Sequence, residues 1–257
     1  MARNPKNPKE YISNSRGRFN EKLKIVLELL LQFHFSTREL ILERLGLATH
    51  SHHDYFKGLE KKGILRRTDV YSLRTRFIYI LTPAGKELAY TLLTDSPIQY
   101  STDINKVNHT TLRHDLAVQK SVICRLKDYD SYASEKNLGV LLEGSNKLPD
   151  ACLIKNAEKT MLEVELTPKN DKRIFRALVA HAESLIKNQY QKVIYIFPTK
   201  TLRDYYYQRF TQTAWPTYLQ DEKGLWVRQP RDLLPDSHPL LRSQFEFLYD
   251  LTVTNDI

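Results

Sequence analysis

From Phe19 to Phe33 the apolar residues Leu23, Val26, Leu27, Leu30 and Leu31 recur at three- and four-residue intervals, with Glu21 and Glu28 turned outward. This spacing predicts a first helix. Thr37 to Leu45 carries Leu40, Ile41 and Leu45 on one stripe, with Ser36 or Thr37 as its cap and Gly46 as its stop. A third helix, His52 to Lys62, follows a cap at Thr49 or Ser51 and ends at Gly63. Ile64 to Leu81 reads as two strand-like runs around a basic tip, and Thr82-Pro83-Ala84-Gly85-Lys86 opens a fourth helix. After a polar stretch at 95–108, Leu112 to Asp128 is helical in pattern, with His109 and His114 near its start and near any cleft there. Two strands then flank a polar turn at 156–159. They lead into a helix from Lys172 to Asn188, a strand from Lys192 to Phe197 and a helix from Leu202 to Phe210.

Alternating helical and strand patterns make the fold class mixed, α/β (α+β). The organisation expected is a flexible basic arm (1–18), a first domain (19–95), a linker (96–108) and a second domain (109–257). The chain has 257 residues, 41% of them apolar, enough for packed cores in one large or two modest domains. Cys124 and Cys152 lack zinc or redox spacing, and no signal-peptide pattern is present, so a reducing, cytoplasmic setting is expected. The longest apolar run, Ile25 to Leu31, is interrupted by Glu28 and falls far short of the ~20 residues a membrane span needs.

The formal net charge of +9 is unevenly placed: residues 1–82 hold 16 Lys and Arg against 8 Asp and Glu, and the remainder holds 23 against 22. Phosphate backbones attract such a patch through counterion release, which makes nucleic acid the first partner to consider. Helix, helix, helix, β-wing, helix resembles a winged helix domain, in which the third helix enters the major groove and the wing grips the backbone. That resemblance assigns DNA contact to His52, His53, Tyr55 and Lys57, beside His50 and Ser51, and to Arg66, Arg67, Arg74 and Arg76 of the wing. The His50-x-His52-His53 cluster has no Cys or carboxylate to complete a zinc site, so groove contact or plain surface is the better reading.

The second domain carries the chemistry. If Asn156 to Lys159 form the loop of a hairpin, residue 155 pairs with 160 and Asp150 with Glu165. Glu163 then shares their face, while Leu162, Val164 and Leu166 point to a core. Cross-strand Cβ atoms lie roughly 5 Å apart, so three carboxylates come within reach of one hard divalent ion. The alternative is a solvated hairpin whose acids pair with Lys155, Lys159 and Lys169. Helix 172–188 opens on Lys172, Arg173 and Arg176, cations that oppose the helix dipole and so call for an anion nearby.

Asp150 with the Glu163-x-Glu165 pair resembles the PD-(D/E)xK superfamily of restriction-endonuclease-like nucleases, with Glu165 where that motif usually has Lys. Together with the run Glu165-Leu-Thr-Pro-Lys169-Asn-Asp-Lys172-Arg173, it resembles the MobC relaxases of plasmid mobilisation and the related replication-relaxation proteins. The resemblance implies a winged helix followed by a restriction-endonuclease-like α/β/α domain that nicks one strand at a plasmid transfer origin. It implies Mg2+ (or Mn2+) held by Asp150, Glu163 and Glu165, Lys169 or Lys172 meeting the developing charge, and Arg173 and Arg176 on DNA. Accessory relaxosome proteins and a coupling protein are the partners it implies. Glu135 or Glu143 is the candidate for the further acid such folds supply, and the nucleophile is water or a Tyr. A competing reading makes the chain a non-catalytic DNA-binding regulator of plasmid replication or transcription.

Overall fold

The structure, a computed structural model, describes residues 8–48, 52–70, 76–93, 110–139, 142 and 148–255, and divides into two compact units, 1–109 and 110–257.

The first unit consists of α1 (Pro8–Phe33), α2 (Arg38–Arg44), α3 (His53–Lys61), β1 (Leu65–Asp69), β2 (Phe77–Leu81) and α4 (Pro83–Leu92). Its core is the stripe read from the sequence, with Leu23, Val26, Leu27, Leu30 and Leu31 buried against Leu40, Ile41, Phe56, Leu59 and Ile80. The Thr37 side chain accepts the Leu40 N–H at the start of α2, and the Thr82 side chain accepts that of Gly85 at the start of α4. Two expectations change here. Helix α1 begins at Pro8, inside the stretch expected to be a flexible arm; a first-turn Pro is compatible with a helix, and a segment without an apolar stripe leaves no period to read. The N-cap of α3 is His52, in left-handed conformation at φ 79° with no side-chain cap bond. Thr49, His50, Ser51, Arg74 and the 95–108 linker lie outside the described residues.

Gly85 is fixed by packing: a Cβ there would lie 2.1 Å from the Ile64 carbonyl oxygen, so α4 approaches β1 closely only because this residue has no side chain.

The second unit contains α5 (Leu112–Arg125), β3 (Ser131–Ser134), α6 (Glu135–Leu138), β4 (Ala151–Lys155), β5 (Glu158–Val164), α7 (Asp171–Ile186), β6 (Lys192–Phe197), α8 (Lys200–Phe210), β7 (Tyr218–Gln220), β8 (Trp226–Arg228), β9 (Phe245–Tyr249) and α9 (Thr252–Asn255). Five strands form one mixed sheet in the order β3-β4-β5-β6-β9, antiparallel from β3 to β5 and parallel from β5 to β9. The α/β expectation therefore holds. Helix α5 packs on β4 and β5, while α8 packs on β6 and β9 and beside α7. An aromatic layer of Tyr195, Phe197, Tyr206, Phe210 and Phe247 fills the α8 side.

The β4–β5 hairpin departs from the expected register. Lys155 pairs with Glu158 and Ala151 with Leu162, so the turn is only Asn156-Ala157, both at positive φ (49° and 67°). That is the conformation a two-residue hairpin turn demands. Pairing slips by two residues, which brings Asp150 level with Glu163 instead of Glu165. An even slip leaves every side chain on its expected face.

Candidate active site

Asp150 sits one residue ahead of β4, where its Oδ2 accepts the Val164 N–H at 2.7 Å. His114, near the start of α5, reaches the same point: its Nε2 donates to the Val164 carbonyl at 2.9 Å and lies 3.4 Å from Asp150 Oδ2, while Nδ1 lies 3.8 Å from Asp115. Burial alone would discharge this imidazole. Hydrogen bonds to Asp115 and Asp150, the Asp150 charge and the Val164 carbonyl reverse that and raise its pKa to about 11, which favours the imidazolium beside these acids.

Glu135 opens α6 beside this group, and its backbone N–H donates to the Asp150 carbonyl at 2.9 Å. Its carboxyl is pushed above the usual range, first by burial and then by the charges of Asp150, Asp115 and Glu163, against the pull of His114. Several acids therefore crowd the carboxyl end of β5. In sheets with parallel strands, that end is where ligands bind.

The expected open acidic face is instead closed. Glu163 and Glu165 are 2% and 3% exposed, because β5 is a central strand and α7 and α8, the helices of the parallel crossovers β5–β6 and β6–β9, cover this face with His181 and Tyr206. Glu163 Oε1 accepts from His181 Nε2 at 2.8 Å, and His181 Nδ1 is 2.7 Å from the Tyr190 hydroxyl, in a fully buried chain. Glu165 Oε1 accepts from Lys169 Nζ at 2.7 Å, one helical turn's spacing away in sequence. Tyr190, Tyr195 and Tyr206 line this layer, and burial, reinforced by the neighbouring carboxylates, drives all three phenols well above their ordinary pKa. Held protonated and shut away from substrate, these three are unsuited to be nucleophiles.

The three-carboxylate metal site is not assembled in this arrangement: among the described residues, no three His, Cys, Asp or Glu side chains are grouped to hold an ion. Glu165 is paired with Lys169 and lies two residues past the position level with Asp150. What remains is Asp150 level with Glu163, with Glu135 electrically close to both. Such a pair of hard oxygen donors fits Mg2+, which commonly takes one or two carboxylates from the protein and completes its shell with water and phosphate.

Of the expected lysines, Lys169 stays at the site, whereas Lys172 donates to the Trp226 carbonyl at 2.6 Å. Arg173 and Arg176 lie one turn apart on α7. In the first unit, His53, Lys57, Arg66, Arg67 and Arg76 are exposed and His52 is half-buried. Tyr55 instead packs edge-on against Phe19 and Phe56, and burial raises its pKa to about 12. His109 and Glu143 lie outside the described residues. Sequence reasoning named His114 only as a neighbour of a cleft, named Glu135 as one of two candidates for a further acid, and missed Asp115 and His181. His181 falls on the buried stripe of α7 between Leu178 and Leu185, and that position was the available signal. Among the described residues no helix is long and apolar enough to cross a membrane. Compared with protein-family models, with curated proteins and with solved structures, the chain matches none.

Proposed function

We propose that this chain is a cytoplasmic DNA-binding, strand-nicking protein. In this reading the first unit is a winged helix that holds duplex DNA, and the second is a restriction-endonuclease-like domain that breaks one strand with Mg2+ or Mn2+. The observation that carries the reading is Asp150 level with Glu163 at the carboxyl end of β5, with Glu135 close enough that the charges of both push its carboxyl above the usual range. Like charges so close are costly without added positive charge, and a divalent ion with its phosphate is the ligand that uses them.

Asp150 and Glu163 are the residues that would hold the ion, which when bound polarises the phosphate and activates the attacking oxygen. The chain's own groups do the positioning. Val164 N–H and His114 fix the Asp150 carboxylate, while His181, locked by Tyr190, fixes that of Glu163. Lys169, whose side chain is 34% exposed, faces outward from Glu165 toward a basic groove and supplies charge to a phosphate there. The nick we propose, from the resemblance to MobC relaxases, is at a plasmid transfer origin, with accessory relaxosome proteins and a coupling protein as partners.

The test is Mg2+-dependent conversion of supercoiled plasmid carrying the chain's own replicon. Open circle is expected from the wild type and none from Glu163→Gln, with duplex affinity kept or raised in the variant. Equal product from both proteins contradicts the assigned role of Glu163, and linear product points to double-strand cleavage. One observation favours a second reading, a non-catalytic regulator: Asp150, Glu163 and Glu165 already have His114, His181 and Lys169 as partners, so no ion is needed to balance them. Under that reading Glu163→Gln leaves DNA-dependent regulation intact.

A further inference from the structure

The β7–β8 hairpin stands beside α7 and encloses a groove of about 500 Å3 that adjoins the acidic site at Lys169. One wall is basic, with Lys169, Arg173 and Arg176 along one edge of α7. The other is the hairpin, with Tyr218, Gln220 and Trp226. Arg173 and Arg176 form no ion pair among the described residues. The Arg176 pKa is depressed, by burial first and then by Arg173. The Arg176 guanidinium lies over the Trp226 ring, 3.2 Å from its centroid, and Lys172 sits 5.5 Å from that of Tyr218 while its Nζ clasps the hairpin backbone at Trp226. The groove thus combines two guanidiniums without an ion pair among the described residues, and Lys169 held by Glu165 at its edge, with flat aromatic faces. Among the described residues Glu183 is the one carboxylate in its lining, two turns further along the helix from Arg176.

We propose that this groove binds a single nucleic-acid strand, with phosphates on Arg173 and Lys169 and a base stacked against the Arg176–Trp226 pair or on Tyr218. Three features select this occupant. Unpaired guanidiniums a turn apart attract an anion of repeating charge. Aromatic rings and guanidinium planes are the surfaces on which unpaired bases stack. A groove of this volume has room for a nucleotide or two, and its aromatic faces can stack on a base only where that base is unpaired. The inference rests on the chain being a DNA-handling protein, but not on nicking, and its test is separate from the plasmid assay.

Trp226 is a built-in reporter. The chain has two tryptophans; Trp215 is fully buried, its indole N–H donating to the Phe210 carbonyl, whereas Trp226 lines the groove. Full-length protein is titrated with a short oligothymidylate and, separately, with an abasic deoxyribose-phosphate chain of equal length. The expected result is saturable quenching by the oligothymidylate and weaker, unquenched binding of the abasic chain. In Trp226→Leu the quench disappears and a dye-labelled oligothymidylate binds about tenfold more weakly, the size of one lost stack. Arg173→Ala with Arg176→Ala weakens both ligands. Unchanged Trp215 emission in the variants shows that the unit remains folded. No quench of the wild type, quenching that persists in Trp226→Leu, or equal binding by the doubly substituted protein overturns the proposal. Quenching without plasmid nicking removes the nuclease reading and leaves the groove standing.

Discussion

Replacing His181 by Ala cuts the buried chain that holds Glu163, and its cost follows from the geometry. His181 and Glu163 are 0% and 2% exposed and joined at 2.8 Å, and the other ring nitrogen faces the Tyr190 hydroxyl at 2.7 Å. A hydrogen bond to a charged group contributes about 1.5–3 kcal/mol. Losing the imidazole also opens a cavity among Tyr195, Tyr190 and Phe245, which brings the expected total to about 3–5 kcal/mol. Glu163→Gln alone keeps the shape and one hydrogen bond and should cost about 1 kcal/mol. Made in that background, His181→Ala no longer strips a partner from an ionised carboxylate, so it should cost about 1–2 kcal/mol less than in the wild type. The assay is urea unfolding followed by tryptophan emission, since both tryptophans belong to the second unit. A His181→Ala protein within about 1 kcal/mol of the wild type, or a cycle without coupling, refutes the buried chain.

Gly85→Ala should destabilise the first unit by about 2–3 kcal/mol, because the new Cβ meets the Ile64 carbonyl oxygen at 2.1 Å and backbone has to move; thermal unfolding checks this. Glu28 is half-buried, and burial raises its carboxyl pKa against the attraction of Arg44 3.6 Å away. The folded state therefore holds the proton more tightly, and stability falls as pH rises from about 4.5 through the folded pKa. Glu28→Gln should raise the unfolding midpoint at pH 7 and leave it unchanged below about pH 4; an equal effect at both pH values would show that the carboxyl charge is not the cause. For duplex DNA, affinity should fall steeply with salt, and Arg66→Ala or Arg67→Ala should each lower the log–log slope by about 1; a flat response removes the phosphate contacts.

Most helices and the central strands were legible because each has a clear stripe. Lys192 to Phe197 reads as a strand from its apolar run and is β6 at those same bounds. The hairpin turn was misplaced because Ala157 adopts φ 67°, a conformation that an Ala in sequence does not announce. The four-residue loop expected at 156–159 therefore put the pairing two residues out of register, and the face assignments hold only because an even slip preserves them. β3, β7, β8 and β9 are short, and three of them lie beyond Trp215, where no long period exists.

The site was half legible for a related reason. Asp150, Glu163 and Glu165 stand in local patterns, but what each carboxylate touches is set by distant chain: His114 meets Val164 across 50 residues and His181 meets Glu163 across 18. Spacing indicates which side chains share a face. It does not reveal that α7 and α8 bury that face, nor that protein cations already stand beside the acids.

The most direct test of the strand-nicking account is a titration of purified protein with Mg2+ or Mn2+ on supercoiled DNA from its own replicon, beside Asp150→Ala. The account predicts open-circular product that rises with the metal for the wild type and is absent for the variant, both proteins binding duplex DNA. Tight DNA binding with no metal-dependent product from the wild type, in the presence of its origin and accessory proteins, contradicts it.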